Sequence, residues 1–259
     1  MQYLPSGKGN ELGGLASLIS KIPAKNRLAD FPHYLMHRAE QLDNLYIFKN
    51  TEGTPENIRK FHPNIIVSST GSAPLLPPIA GLKDRIDNEN HNIYSILGMI
   101  SHINDFPKDL KGKKVVVVGG GAVGLDVVEF FADRNADISI VEMMDQIGRD
   151  LDPVSKNDTK IMMKKHNVHQ LTKTALLEVK DSSFLVKGDG EPYELPFEYG
   201  FVCLGMRAQG QLYQNLTEEF SSEDVEIMNI GDSQRARRII DGTQEGRNIL
   251  TILEQKGYL

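Results

Sequence analysis

The sequence contains a single cysteine, Cys203, in 259 residues. No intrachain disulfide can form, and the cytoplasm is the compartment such a chain is expected to occupy. The same scarcity removes several chemistries from the chain taken by itself. A C-x-x-x-x-C dithiol, a four-cysteine zinc site and a cysteine-ligated iron–sulfur cluster all need thiols it does not have. A surplus of basic charge is missing too: 29 lysines and arginines stand against 35 acids, a net charge of −6. That balance argues against nucleic acid or an acidic membrane as a partner. The densest basic run, Arg235-Ala236-Arg237-Arg238, is short and sits between Asp232 and Asp241. It reads as a local anion contact or a solvated face. No apolar run approaches the roughly 18 residues of a membrane-crossing helix, and the N-terminus lacks a signal-peptide pattern. What remains is ordinary for a globular protein, with 40% hydrophobic and 25% charged residues. The length suits one large or two ordinary domains.

One stretch dominates what is present. Val115-Val116-Val117-Val118 is a buried-strand pattern, and Gly119, Gly121 and Gly124 follow it as G-x-G-x-x-G, with Gly120, Ala122 and Val123 between them. Leu125, Val128 and Phe131/Ala132 then recur at helical spacing. Strand, glycine turn and helix in that order make the first half of a dinucleotide-binding βαβ unit. The glycines let backbone approach a pyrophosphate, and the helix N-terminus offers unpaired N–H groups to its charge. After the break at 133–136, Asp137-Ile138-Ser139-Ile140-Val141 alternates like a strand and ends in Glu142. An acid about 20 residues past the glycines would bind both ribose hydroxyls of NAD and repel the 2′-phosphate of NADP. The bland alternative is a packing turn with a solvated acid at a strand end.

Three segments organise the chain. In the first, Asp30 and Pro32 look like a helix start, with Asp30 near the cap and the proline in the first turn. Tyr34, Leu35, Arg38, Ala39 and Leu42 continue it at helical spacing. Residues 45–48 read as a short strand, 55–60 as a helical turn, and 64–71 as a buried strand running into Thr70-Gly71. Pro74, Pro77, Pro78 and Gly81 mark a hinge. The second segment, about 111–206, carries the fingerprint, a helix over 155–166, candidate strands over 175–179 and 184–187, and a strand over 200–205. In the third, residues 225–230 lead into Gly231-Asp232. A helix over 243–255 follows, with Ile249, Leu250, Ile252 and Leu253 on its buried side.

Thr70-Gly71 with its prolines, Val118-Gly119-Gly120-Gly121 and Ile230-Gly231-Asp232 occur in one order. The arrangement resembles the flavoproteins in which an NAD domain is inserted into an FAD domain. Three passages are more specific: Glu11-Leu12-Gly13-Gly14-Leu15, residues 70–81, and residues 230–246 from Ile230 through Arg237-Arg238 to Glu245-Gly246. Together they resemble the C-terminal half of the NADH:flavin oxidoreductase / 2,4-dienoyl-CoA reductase family, relatives of old yellow enzyme and trimethylamine dehydrogenase. The resemblance implies an α/β fold of two Rossmann-like domains. An incomplete FAD-type domain over 1–110 and 207–259 would hold an inserted NAD-binding domain over 111–206.

The family also carries an FMN-binding barrel, iron–sulfur cysteines and a first G-x-G-x-x-G for FAD. None of these is read in this sequence, and Gly7 stands where the family has an acid for the FAD ribose. Met1–Lys8 reads as poor strand, as though the chain began inside the FAD domain, as a fragment or a truncated relative. NAD(H) is therefore the expected cofactor. FAD is expected of the intact family rather than of this chain, and an FMN/iron–sulfur barrel, as domain or subunit, is the implied partner.

The resemblance also assigns residues. Gly231 and Asp232 would lie at the FAD phosphate and ribityl, although Asp232 could equally cap the following helix. Thr70 and Gly71 would contact the nucleotide, or simply turn the chain at a strand end. Gly13 and Gly14 would belong to the FAD side, and Gly205 would lie near the nicotinamide. The pairs His33/His37 and His166/His169 have no acid or thiol at metal-site spacing, so no metal is expected. Cys203 lies in an apolar strand and reads as core. No catalytic residue is assigned, because hydride transfer belongs to the cofactors.

Overall fold

The structure is a computed structural model that describes residues 6–7 and 12–258. It divides into two compact units. One comprises Lys21–Ala24 and Pro74–Gly205, and the other the described residues of Met1–Ser20 with Lys25–Ala73 and Met206–Leu259.

The first unit is built on five parallel strands. Their spatial order is Ile93–Tyr94, Tyr199–Val202, Lys114–Val118, Asp137–Val141, His169–Leu171. The central strand is the valine run. It pairs on both sides, Val116 standing opposite Gly200 and Ser139, and it is covered on both faces. That is why its sequence is continuously apolar rather than alternating. Val116 and Val118 enter a cluster with Leu82, Val179, Phe184 and Val186. Val115 and Val117, both fully buried, point to the opposite face. There the helix Ala122–Ala132 buries Leu125, Val127, Val128, Phe130 and Phe131. Phe131 packs on Phe201 and Phe106 with ring centroids 4.8 and 5.1 Å apart. Each such side chain contributes on the order of 1.5–3 kcal/mol by leaving water. The helix ends because Asn135 adopts a left-handed conformation, φ 61°. That lets Ala136 donate its N–H back to the Phe131 carbonyl.

The face formed by Val116 and Val118 is roofed by an antiparallel sheet of Ala175–Val179, Ser183–Lys187 and Tyr193–Pro196. The two strands expected over 175–179 and 184–187 are thus joined by a third. The helix expected over 155–166 begins earlier, at Pro153, because Asp152 caps it by accepting N–H bonds from Val154 and Ser155. The compact unit that holds the parallel sheet takes in the chain from Pro74 onward. Ile93–Tyr94 adds an edge strand to the parallel sheet, and Leu82 and Ile86 join its core.

The second unit holds little sheet. Ile65–Ser68 pairs in parallel with Glu226–Asn229, and Ser6–Gly7 with Phe48–Lys49. Ile66, Leu216 and Phe220 form its buried centre, flanked by Ile58, Leu212 and Ile227. The strand expected over 45–48 contracts to Phe48–Lys49. Of Met1–Lys8, read as poor strand, the described part is the two-residue strand Ser6–Gly7; the rest of that expectation, and Glu11, lie outside the described residues.

The helix start expected at Asp30 is found there: Asp30 is the first residue of the helix Asp30–Glu40, next to its cap Ala29, and the 3-10 segment Pro23–Ala29 runs directly into it. That helix turns Pro32, Met36 and Ala39 inward and leaves Tyr34, Leu35 and Leu42 exposed. The C-terminal helix spans Ile239–Gln255. Leu253 is buried and Ile249 half-buried, four residues apart on one face, whereas Leu250 and Ile252 meet solvent. Among the described residues no helix is long and apolar enough to cross a membrane.

Candidate functional site

The three fingerprint glycines have different physical reasons. Gly119 ends the central strand at φ 109°, and a Cβ there would lie 2.1 Å from the Cys203 carbonyl oxygen on the neighbouring strand. A Cβ at Gly124 would lie 1.9 Å from the Gly119 carbonyl oxygen, so this position sets how closely the helix approaches the strand. Gly121 differs from both. It is the N-cap of the helix in extended conformation, with nothing within 4 Å of where its Cβ would be. The first intrahelical bond runs from Leu125 N–H to Gly121 O. The N–H groups of Ala122, Val123 and Gly124 therefore stand ahead of the ladder, and no side chain caps them. The open side of Gly121 and these free donors fit a pyrophosphate.

Glu142 follows the strand Asp137–Val141 directly. One carboxylate oxygen accepts the Gly120 N–H at 2.6 Å and the other accepts the Met144 N–H at 2.8 Å. Two backbone donors thus fix the carboxylate beside the glycine turn. Each oxygen keeps acceptor capacity toward a second donor such as a hydroxyl. The structure brings Gly120, Gly121 and Glu142 together on one cleft of about 240 Å³, lined also by Met144, Gln146, Arg149 and Asp150. The sequence reading missed these last four. Their signal was their position in the loop after the strand-end acid.

Gly205, at φ 99°, has open space where a Cβ would be, and its carbonyl accepts the Leu75 N–H at 2.9 Å. Just before it, Cys203 is 6% exposed, and burial pushes its thiol up to about 12. It is core and unreactive at neutral pH.

The remaining candidates lie in the second unit, where they bond mainly to their own chain. The Thr70 hydroxyl donates to the Gln209 carbonyl, and Gly71 O accepts the Gln209 N–H at 3.0 Å. Asp232 accepts the Ser72 hydroxyl at 3.0 Å and the Arg237 N–H at 3.1 Å. It does not cap the C-terminal helix: that helix starts after Arg238, whose N–H is taken by Asp241. Gly231, at φ 66°, donates its N–H to Glu245 at 2.6 Å, and Glu245 also pairs with Arg237. The Gly231 bond first, then Arg237, holds the Glu245 carboxyl below the usual range. Gly13 is required by contact, since a Cβ there would meet Ser17 Oγ at 2.1 Å, while Gly14 faces open space.

The model of the pyridine nucleotide-disulphide oxidoreductase family matches residues 36–228, and the chain belongs to that family. A metal reductase of Desulforamulus reducens is 25% identical, the match covering 93% of this chain and 39% of that protein. An NADH oxidase of Thermoanaerobacter brockii is 24% identical over 92% of this chain and 35% of its own length. In fold, the chain superposes on 2-naphthoyl-CoA reductase with a TM-score of 0.78 at 21% identity, covering 95% of this chain and 35% of that one. The chain thus spans between a third and two fifths of the relatives it matches. The match is in keeping with the expected FAD/NAD half of a larger flavoprotein.

Proposed function

We propose that this chain is the nucleotide-binding part of a pyridine-nucleotide/flavin oxidoreductase and that its cleft binds NADH. One observation carries the reading: an uncapped helix N-terminus, an open glycine and a backbone-clamped carboxylate share one cleft. Gly120 and Gly121 would admit the pyrophosphate, with the N–H groups of Ala122, Val123 and Gly124 beneath it. Glu142 would accept both hydroxyls of the adenosine ribose, and a 2′-phosphate would meet its negative charge. Gly205, with its open side, would border the nicotinamide end. When bound, the pyridine nucleotide supplies the hydride, and in an intact relative FAD receives it. Thr70, Gly71, Gly13, Gly14, Gly231 and Asp232 are the residues this reading gives to the flavin. The reaction class has support from the family and from relatives named as NADH oxidase and metal reductase. Calorimetric titration of the purified chain with NADH and NADPH tests the reading: NADH should bind more tightly, and equal or tighter binding of NADPH would remove Glu142 from its role.

A second reading is a nucleotide-binding module without flavin turnover. It is favoured by the internal bonds that already engage Thr70 and Asp232. Adding excess FAD, desalting and recording the visible flavin spectrum with NADH consumption separates the two. Stoichiometric flavin with steady turnover excludes the second reading.

A further inference from the structure

We propose that Arg149 receives the pyrophosphate charge of the dinucleotide, an inference that rests on the nucleotide reading of the cleft. The loop after Glu142 folds back onto the glycine turn. Gly148 donates its N–H to the Gly120 carbonyl at 2.7 Å, and Leu151 donates to the Gly148 carbonyl at 3.1 Å. These two bonds close a tight turn with Arg149 and Asp150 at its corner. Gly148 has φ 67°, and Leu125 Cδ1 lies 3.5 Å from where its Cβ would be. The corner is therefore seated on the first turns of the helix Ala122–Ala132. Arg149 lines the same cleft as Gly120, Gly121 and Glu142.

Charge makes the assignment. A pyrophosphate brings two negative charges to a wall that already carries Glu142 and Asp150. The helix end offers about half a positive charge, too little to balance them. Among the described residues that line the cleft, Arg149 is the one cation. In this structure Glu142 is held by the Gly120 and Met144 N–H groups and not by Arg149. The Arg149 side chain is exposed and makes no ion pair with a described residue. Its guanidinium can pair with phosphate oxygens through two N–H groups. The role differs from reading a 2′-phosphate, since a pyrophosphate is common to NADH, NADPH and ADP-ribose.

That difference is the test. The affinities of NADH, NADPH and ADP-ribose are measured by calorimetry for the wild type, Arg149→Gln and Arg149→Lys, at several salt concentrations, with thermal melting as a folding control. Arg149→Gln should weaken all three by the same factor, about tenfold, and flatten the salt dependence. Arg149→Lys should recover most of the loss. A loss confined to NADPH, or no loss at all, overturns the assignment while leaving NADH binding in the cleft intact. A wild type that binds none of the three overturns the nucleotide reading and this inference with it.

Discussion

The glycine turn at 119–124 and the turn at Gly231–Asp232, one in each compact unit, treat their polar groups in opposite ways. In the unit of the parallel sheet, the N–H groups at the start of Ala122–Ala132 have no side-chain cap, and Gly121 opens onto free space. In the other, Gly231 N–H, Asp232 and Thr70 are bonded within the chain. Rigidity explains the contrast. Five paired strands with a core on both faces can hold a concave turn without filling it, because sheet and helix fix its walls. A pair of four-residue strands with a small core gains more from satisfying its turns internally. The open turn therefore goes with the five-stranded sheet, and the self-bonded turn with the two-stranded one.

The largest expected effect would break that contrast at its base. Gly119→Ala puts a Cβ within 2.1 Å of the Cys203 carbonyl oxygen at a left-handed φ. The parallel-sheet unit should lose about 3 kcal/mol or more, read as a shift in the denaturant midpoint. A variant as stable as the wild type would show that the strands are less tightly joined than the geometry requires.

Next in size, Gly121→Val should leave stability within about 1 kcal/mol, because its backbone is extended and its surroundings open. Its side chain would nonetheless stand where the pyrophosphate approaches, so NADH binding should fall below detection in calorimetry. Normal NADH binding by a folded Gly121→Val chain would move the site elsewhere.

Glu142→Gln sharpens the comparison further. It keeps acceptor oxygen toward Gly120 or Met144 but removes the charge, so the preference for NADH over NADPH should shrink by roughly tenfold. An unchanged ratio would mean that shape rather than charge selects the nucleotide.

The smallest effect lies in the other unit. Because the folded state lowers the Glu245 pKa, its stabilisation is complete above the unfolded value, about 4.3. It is lost as pH falls through the lowered folded value. Glu245→Gln should therefore destabilise the chain slightly at neutral pH, and the difference from wild type should vanish under strong acid. A difference that persists at low pH would assign the effect to packing instead.

Much of the larger unit was legible because its signals are local. Four consecutive valines, three glycines at fixed spacing and an acid after an alternating run each report one physical requirement. What escaped depends on partners far along the chain. Ile93–Tyr94 is too short to show any period, so nothing local joined residues 74–110 to the sheet. The cleft wall at 144–150 has no pattern of its own and is placed by the bond from Gly148 to Gly120. Of the expected stripe Tyr34, Leu35, Arg38, Ala39 and Leu42, only Ala39 turns inward, together with Pro32 and Met36. Two stripes competed on one helix, and periodicity alone could not rank them. Asp232 reads as a cofactor contact or a helix cap, and nothing local announces its partners Ser72 and Arg237.

The contact between Gly119 and Cys203 also bears on synthesis. The glycine turn takes its shape against a strand that leaves the ribosome some eighty residues later. A nascent chain that has emerged only through the helix Ala122–Ala132 has the whole fingerprint but not the wall that holds it. At that point the valine strand lacks both neighbours, and until Tyr199–Val202 has emerged it keeps one open edge, the kind of surface that other chains can pair with. The glycine turn that lines the cleft thus gains its wall only after Cys203 has emerged, and until then the most recognisable segment of the sequence carries an open strand edge.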